Sequence, residues 1–291
     1  MALVAILYDI HGNLPALEEV LREAEEAGAE RYLLGGDYVR RLYFIALVDA
    51  ARLDASSVQP LLERLGQRVK SDYDRRQVLE HVASRVTLDQ KAASAYVQAM
   101  ATMKSDYDQR QALSALLKRH GAAVDGDAVV QAVSHMKSSY DKRVVLAEIL
   151  SRGALSVDAK KSVLIAVAGM QSDYDRGQVL TAYVQSFGVE PAVREPFFAA
   201  VRSITSDYER RRVLTDVAKK GSVQPGVQQS AFEVVSLMSS DHDRAEVLLA
   251  FAGGQGIDAS SRPAFVSAAE RLKSSYDQNR VLAALVRAER R

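Results

Sequence analysis

Ser71-Asp72-Tyr73-Asp74 decides the fold, because it returns six more times along the chain. The copies are Ser105-Asp106-Tyr107-Asp108, Ser138-Ser139-Tyr140-Asp141, Ser172-Asp173-Tyr174-Asp175, Ser206-Asp207-Tyr208-Glu209, Ser240-Asp241-His242-Asp243 and Ser274-Ser275-Tyr276-Asp277. Each central ring lies 33 or 34 residues from the one before it. An apolar pair closes every copy: Val78-Leu79, Ala112-Leu113, Val145-Leu146, Val179-Leu180, Val213-Leu214, Val247-Leu248 and Val281-Leu282. A fixed period of this length is the signature of a repeat architecture.

The physical chemistry of the element is that of a helix start. A serine oxygen at the first position caps the amide two or three residues on. The acid at the fourth position (Asp74, Asp108, Asp141, Asp175, Glu209, Asp243, Asp277) is placed to complete a capping box with Ser71, Ser105, Ser138, Ser172, Ser206, Ser240 and Ser274. Acids in the first turn also suit the positive end of the helix dipole. Apolar residues then follow at helical spacing, as in Val145, Leu146, Ile149 and Leu150. A second helical stretch precedes each copy, for instance 92–103, 128–136, 160–170 and 192–204. Glycines at 121, 153, 188, 221 and 253–254 suit helix ends, and Pro191, Pro225 and Pro263 suit helix starts.

Each unit therefore reads as a helical hairpin. One hairpin cannot bury its own apolar stripe, so stacking is required. The expected fold is mainly α: a right-handed α-solenoid of about seven repeats over residues 38–291, with a small β-α-β unit over residues 1–37. The repeat length resembles that of tetratricopeptide repeats, without their Trp, Gly and Pro signature; HEAT-like repeats are the looser match.

The β-α-β expectation comes from residues 2–8 and 31–34 as strands around a helix over 14–27. Asp9-Ile10-His11-Gly12-Asn13-Leu14-Pro15-Ala16-Leu17, followed by Gly36-Asp37, resembles the opening of calcineurin-like metallophosphoesterases. The resemblance covers about the first 38 residues. It implies metal ligation by Asp9, His11 and Asp37, since clustered carboxylate and imidazole suit a divalent ion that activates water. The later Gly-Asn-His and Gly-His-x-His elements of that family have no counterpart here. The other histidines, His81, His120, His135 and His242, all fall within the repeats. Residues 1–37 thus read as a fragment without a complete site. Gly36-Asp37-Tyr38-Val39-Arg40-Arg41 aligns with Ser71-Asp72-Tyr73-Asp74-Arg75-Arg76 at an offset of 35, so the two parts join where their sequences agree. The expectation is a chimera, natural or made in the laboratory.

Composition narrows the function further. The chain has 291 residues, 48% of them hydrophobic, so a large core is available. Lys plus Arg total 38 against 37 for Asp plus Glu, which gives no electrostatic footprint for nucleic acid or an acidic membrane. With no cysteine there is no disulfide framework and no thiolate chemistry. No apolar run approaches the ~20 residues of a membrane span, and the first residues lack a signal-peptide pattern. A cytoplasmic location is expected.

Two rows of side chains need a reading. The row Tyr73, Tyr107, Tyr140, Tyr174, Tyr208 and Tyr276 is expected to pack between neighbouring repeats, a partner surface being the alternative. The row Arg75-Arg76, Arg110, Lys142-Arg143, Arg176, Arg210-Arg211 and Arg244 is expected to form ion pairs within and between repeats, not a phosphate stripe. Gly253-Gly254-Gln255-Gly256 lacks the Lys-Ser or Lys-Thr of a phosphate loop. The functional expectation is a non-catalytic scaffold or module that binds protein or peptide. It carries no cofactor, a weak divalent ion at Asp9, His11 and Asp37 being the alternative, and self-associates through residues 1–38. The alternative is a metal-dependent phosphoesterase completed by another chain.

Overall fold

The computed structural model of the chain describes residues 3–7, 14–34, 36–50, 53–153, 155–220, 226–254 and 256–288. Strand β1 (Leu3–Leu7), helix α1 (Leu14–Glu26) and strand β2 (Ala29–Leu34) come first. They are followed by α2 (Gly36–Ala50), α3 (Ala55–Arg68), α4 (Asp72–Arg85), α5 (Gln90–Ala101), α6 (Asp106–His120), α7 (Gly126–Ser134), α8 (Ser139–Arg152) and α9 (Val157–Ala168). Next are α10 (Asp173–Phe187), a single 3-10 turn at Pro191–Val193, α11 (Arg194–Ser203), α12 (Asp207–Lys219) and α13 (Val227–Val235). Helices α14 (Asp241–Gly253), α15 (Arg262–Glu270) and α16 (Ser275–Ala288) complete the described elements. They fall into two compact units, Met1–Ala132 and Val133–Arg291, with the boundary inside α7.

In the first unit β1 and β2 pair in parallel, from Leu3 opposite Ala29 to Leu7 opposite Leu34. A crossover helix is what a parallel pair requires, and α1 supplies it. Leu17 of α1 packs with Val39 and Leu42 of α2, and Leu21, Tyr32, Tyr38 and Tyr43 border that cluster. The strand–helix–strand segment therefore shares a core with the first helix that enters the repeats. Helices α2, α4 and α6 lie side by side as one layer, and α3 and α5 form the other.

The second unit repeats the plan. Helices α8, α10, α12, α14 and α16 make one layer, and α9, α11, α13 and α15 the other. The helical repeat is thus present in both units.

The apolar pair after each Ser-x-Tyr-acid element is what holds the layers together. Val78, Leu79, Val145, Leu146, Val179, Leu180, Val213, Leu214, Val247 and Leu248 are all buried. Each such side chain contributes about 1.5–3 kcal/mol on burial. In the second unit aromatic rings take over part of the core, with Phe232 edge-on to Phe251 at 5.2 Å and to Phe265 at 5.3 Å. Helix ends follow local chemistry. Gly153 closes α8 with φ of 74°, in the left-handed region open to glycine. Pro263 sits in the first turn of α15, where its missing N–H costs nothing. Gly221 and Pro225 lie outside the described residues.

Candidate functional site

The serines cap as their sequence position implies. Ser71 Oγ accepts from Asp74 N, Ser105 Oγ from Asp108 N, Ser138 Oγ from Asp141 N, Ser172 Oγ from Asp175 N, Ser206 Oγ from Glu209 N, Ser240 Oγ from Asp243 N and Ser274 Oγ from Asp277 N. The reciprocal half expected of the fourth-position acid does not form at the serines whose own amide is bonded to the previous repeat. At each of these, the serine N–H has a better-placed acceptor there.

That acceptor is the second residue of the element. Asp72 Oδ2 accepts from Lys104 N (2.7 Å) and Ser105 N (2.8 Å). Asp173 Oδ2 accepts from Thr205 N (2.9 Å) and Ser206 N (2.8 Å). Asp207 does the same for Ser239 and Ser240, and Asp241 for Lys273 and Ser274. Where the second residue is Ser139, its Oγ accepts from Gln171 N (2.9 Å) and Ser172 N (3.4 Å). One repeat therefore caps the helix start of the next.

Asp37 is a rung of this ladder. Its Oδ2 accepts from Lys70 N (2.9 Å) and Ser71 N (2.5 Å), and its Oδ1 from the Arg40 guanidinium (2.9 Å). Of the three residues that the phosphoesterase resemblance assigns to a metal, Asp37 alone lies among the described residues; Asp9 and His11 lie outside them. Among the described residues no three His, Cys, Asp or Glu side chains come together as a metal-binding group. Partial burial pushes the Asp37 carboxyl up, but the Lys70 and Ser71 amides and Arg40 together outweigh it and hold the group below the usual carboxylate range.

The fourth-position acids take arginines instead. Arg41 pairs with Asp74 (2.9 Å), Arg76 with Asp108 (2.6 Å), Arg143 with Asp175 (2.6 Å) and Arg211 with Asp243 (2.9 Å), each across to the next repeat. The sixth position holds Gly177 and Ala245 in two repeats, which removes that arginine. There the acid is paired within its own helix, Glu209 with Arg212 (2.8 Å) and Asp277 with Arg280 (3.0 Å). A basic residue three places after the acid occurs in those two copies and in none of the other five, so the exchange is written in the sequence and was missed there.

Fifth-position residues reach the other layer. The Arg75 guanidinium donates to Val69 O (3.0 Å), at the end of α3, and to Ala99 O (3.2 Å), near the end of α5. Arg176 likewise donates to Met170 O and to Ser203 O (2.9 Å). These cations sit where helix C-termini leave unsatisfied carbonyls.

The third position of the element holds the tyrosine row. The rings are not packed away: Tyr73, Tyr107, Tyr140, Tyr174 and Tyr208 are 51–54% exposed and Tyr276 is 72% exposed. Sixth-position guanidinium groups stand beside them. Arg41 lies 4.5 Å from the Tyr38 ring centre and 5.7 Å from Tyr73; Arg76 lies 5.2 Å from Tyr73 and 5.8 Å from Tyr107. In the second unit Arg143 lies between Tyr140 (5.0 Å) and Tyr174 (5.9 Å). The ring leaves the core because the third position of the element points away from the buried pair that follows it, and an adjacent guanidinium covers one face.

Compared with known proteins, no family model matches the chain and no curated protein matches it. The chain is similar to a solved structure described as "Computational Design of Self-Assembling Cyclic Protein Homooligomers", at 12% identity over 95% of this chain and 89% of that chain. The TM-score is 0.17, a likeness too distant to bear on fold or function.

Proposed function

We propose that the protein is a non-catalytic helical-repeat scaffold that presents its tyrosine–arginine row to a protein or peptide. The observation that carries this reading is a division of labour within the element. The second, fourth and fifth positions hold amides, arginines and carbonyls of adjacent repeats, while the third holds a half-exposed ring. Tyrosine and arginine, with tryptophan, are enriched among the anchoring residues of protein interfaces. A peptide display selection on the intact chain tests it. The enriched peptides should lose binding to a Tyr73→Ala/Tyr107→Ala variant that keeps the parent's melting temperature. Equal binding to both chains would sink the proposal.

The same reading treats residues 1–37 as an inherited phosphoesterase-like piece joined to the repeats, with no cofactor and no reaction of its own. Its support is Asp37, whose oxygens already hold Lys70, Ser71 and Arg40. Hydrolysis of an aryl phosphate that disappears in Asp9→Ala would overturn this part. Two further elements belong to the proposal. Successive hairpins turn in the right-handed sense, and two copies associate through the outer edges of β1 and β2, since a two-stranded sheet leaves backbone groups that another strand can pair. Light scattering that finds a monomer would remove the second element.

A further inference from the structure

Beside β2, within the first unit, α2 and α3 enclose a cleft of about 760 Å³. That volume falls in the range of small-molecule sites, roughly 300–1,000 Å³. One wall is apolar and aromatic, with Tyr43, Phe44, Leu47, Pro60 and Leu61. The polar wall carries three arginines, Arg40, Arg64 and Arg68, and no acid lines the cleft among the described residues.

The arginines are not equivalent. Arg40 is paired with Asp37 at 2.9 Å. Arg64 and Arg68, one turn apart on α3, have no hydrogen bond or ion pair among the described residues. Like charges four residues apart on a helix repel each other. Arg68 lies in the last turn of α3, where a cation complements the helix dipole, but Arg64 has no such role. Tyr32 borders the same cleft from β2, with its hydroxyl buried away from the opening and without a partner among the described residues.

We infer that this cleft binds a small aryl anion, an aromatic carboxylate or an aryl phosphate. Its charged group is held by Arg64 and Arg68, and its ring lies against Tyr43, Phe44 and Pro60. The two unpaired guanidinium groups supply charge-assisted donors.

Calorimetric titration of the intact chain with benzoate, phenyl phosphate, inorganic phosphate and benzyl alcohol tests the assignment. Benzoate or phenyl phosphate should bind at a single site with a dissociation constant below about 1 mM. The tighter of the two identifies the source of the anion. Inorganic phosphate and benzyl alcohol, each lacking half of the chemistry, should bind at least about tenfold more weakly. Arg64→Gln/Arg68→Gln should lower affinity by about tenfold or more with an unchanged melting temperature, since both arginines are exposed. The inference is overturned if neither aryl anion binds, if benzyl alcohol binds as well as benzoate, or if the double variant keeps the parent affinity.

Discussion

Glu209 occupies the space that a side chain at Gly177 would need: a Cβ placed on Gly177 would lie 2.4 Å from Glu209 Oε2. In the other repeats this space belongs to an arginine or alanine facing an aspartate. The longer acid and the missing side chain are one compensated change. Gly177→Ala alone should therefore give little of the ~1 kcal/mol that alanine ordinarily adds in a helix interior. With Glu209→Asp in the same chain, the gain should appear. A double-mutant cycle in urea should return a coupling of about 1 kcal/mol between the two sites, and additive effects would refute the relationship.

The cross-repeat caps should be measurable one at a time. Asp207→Ala removes the acceptor for Ser239 and Ser240 and should cost about 1–2 kcal/mol, the usual range for a lost cap. Asp207→Asn keeps an oxygen and should cost less. Asp37→Ala should behave like Asp207→Ala in the same denaturation assay. Manganese or zinc added to the parent chain should leave its melting temperature where it was, because a metal ion would have to displace two amides and Arg40 from Asp37. A metal-dependent rise that Asp37→Ala abolishes would return Asp37 to the role its phosphoesterase-like context implies.

Acid should unfold the chain through these same groups. At Asp173, Asp207 and Asp258, as at Asp37, partial burial pushes the carboxyl up. Hydrogen bonds from the neighbouring hydroxyl and amide donors outweigh it and lower the pKa. Exposed Asp54 is pushed down to about 2, first by the Ser57 hydroxyl. A folded pKa below the unfolded one gives stability that is complete above the unfolded value, ~3.9, and is lost as pH falls through the folded value. The urea midpoint should hold steady from about pH 7 to pH 5 and drop between about pH 4 and pH 2. Asp207→Asn should make that drop shallower.

Two buried tyrosines should respond to loss of the hydroxyl with opposite signs. Tyr96 donates to Ala112 O at 2.9 Å, whereas the Tyr183 hydroxyl is buried beside Phe187 and Phe197 with no partner among the described residues. Tyr96→Phe should cost about 1 kcal/mol, and Tyr183→Phe should be neutral or stabilising by about as much. Thermal denaturation of the two variants decides; equal losses would mean that Tyr183 has a donor or acceptor after all.

Features set by near neighbours in the chain were legible in the sequence. Ser71 caps Asp74 three residues on, and the Val78-Leu79 pair follows from helical spacing, so helix starts and core faces were within reach. What Asp72 holds was not legible, because Ser105 is 33 residues away and becomes its neighbour only once repeats stack. The fourth-position acid was read as half of a local box for the same reason: its arginine comes from the previous repeat. The tyrosine row was expected between repeats, yet the ring projects from the third position while the guanidinium beside it supplies the packing. The cleft at Tyr32 left no trace in the periodicity, since its lining comes from one strand and two helices of different register.

The caps also bear on how such a chain can be copied. An aspartate, or in one case Ser139, meets a serine amide in the next repeat, so a duplicated or deleted unit finds a matching partner at either new joint. Recombination can shuffle such units without repair. Gly177 and Glu209 are the exception, being written for each other; a crossover that separates them would place Glu209 against whatever side chain arrives. The history of the array is thereby free to vary at its ordinary joints and is held fixed at this one.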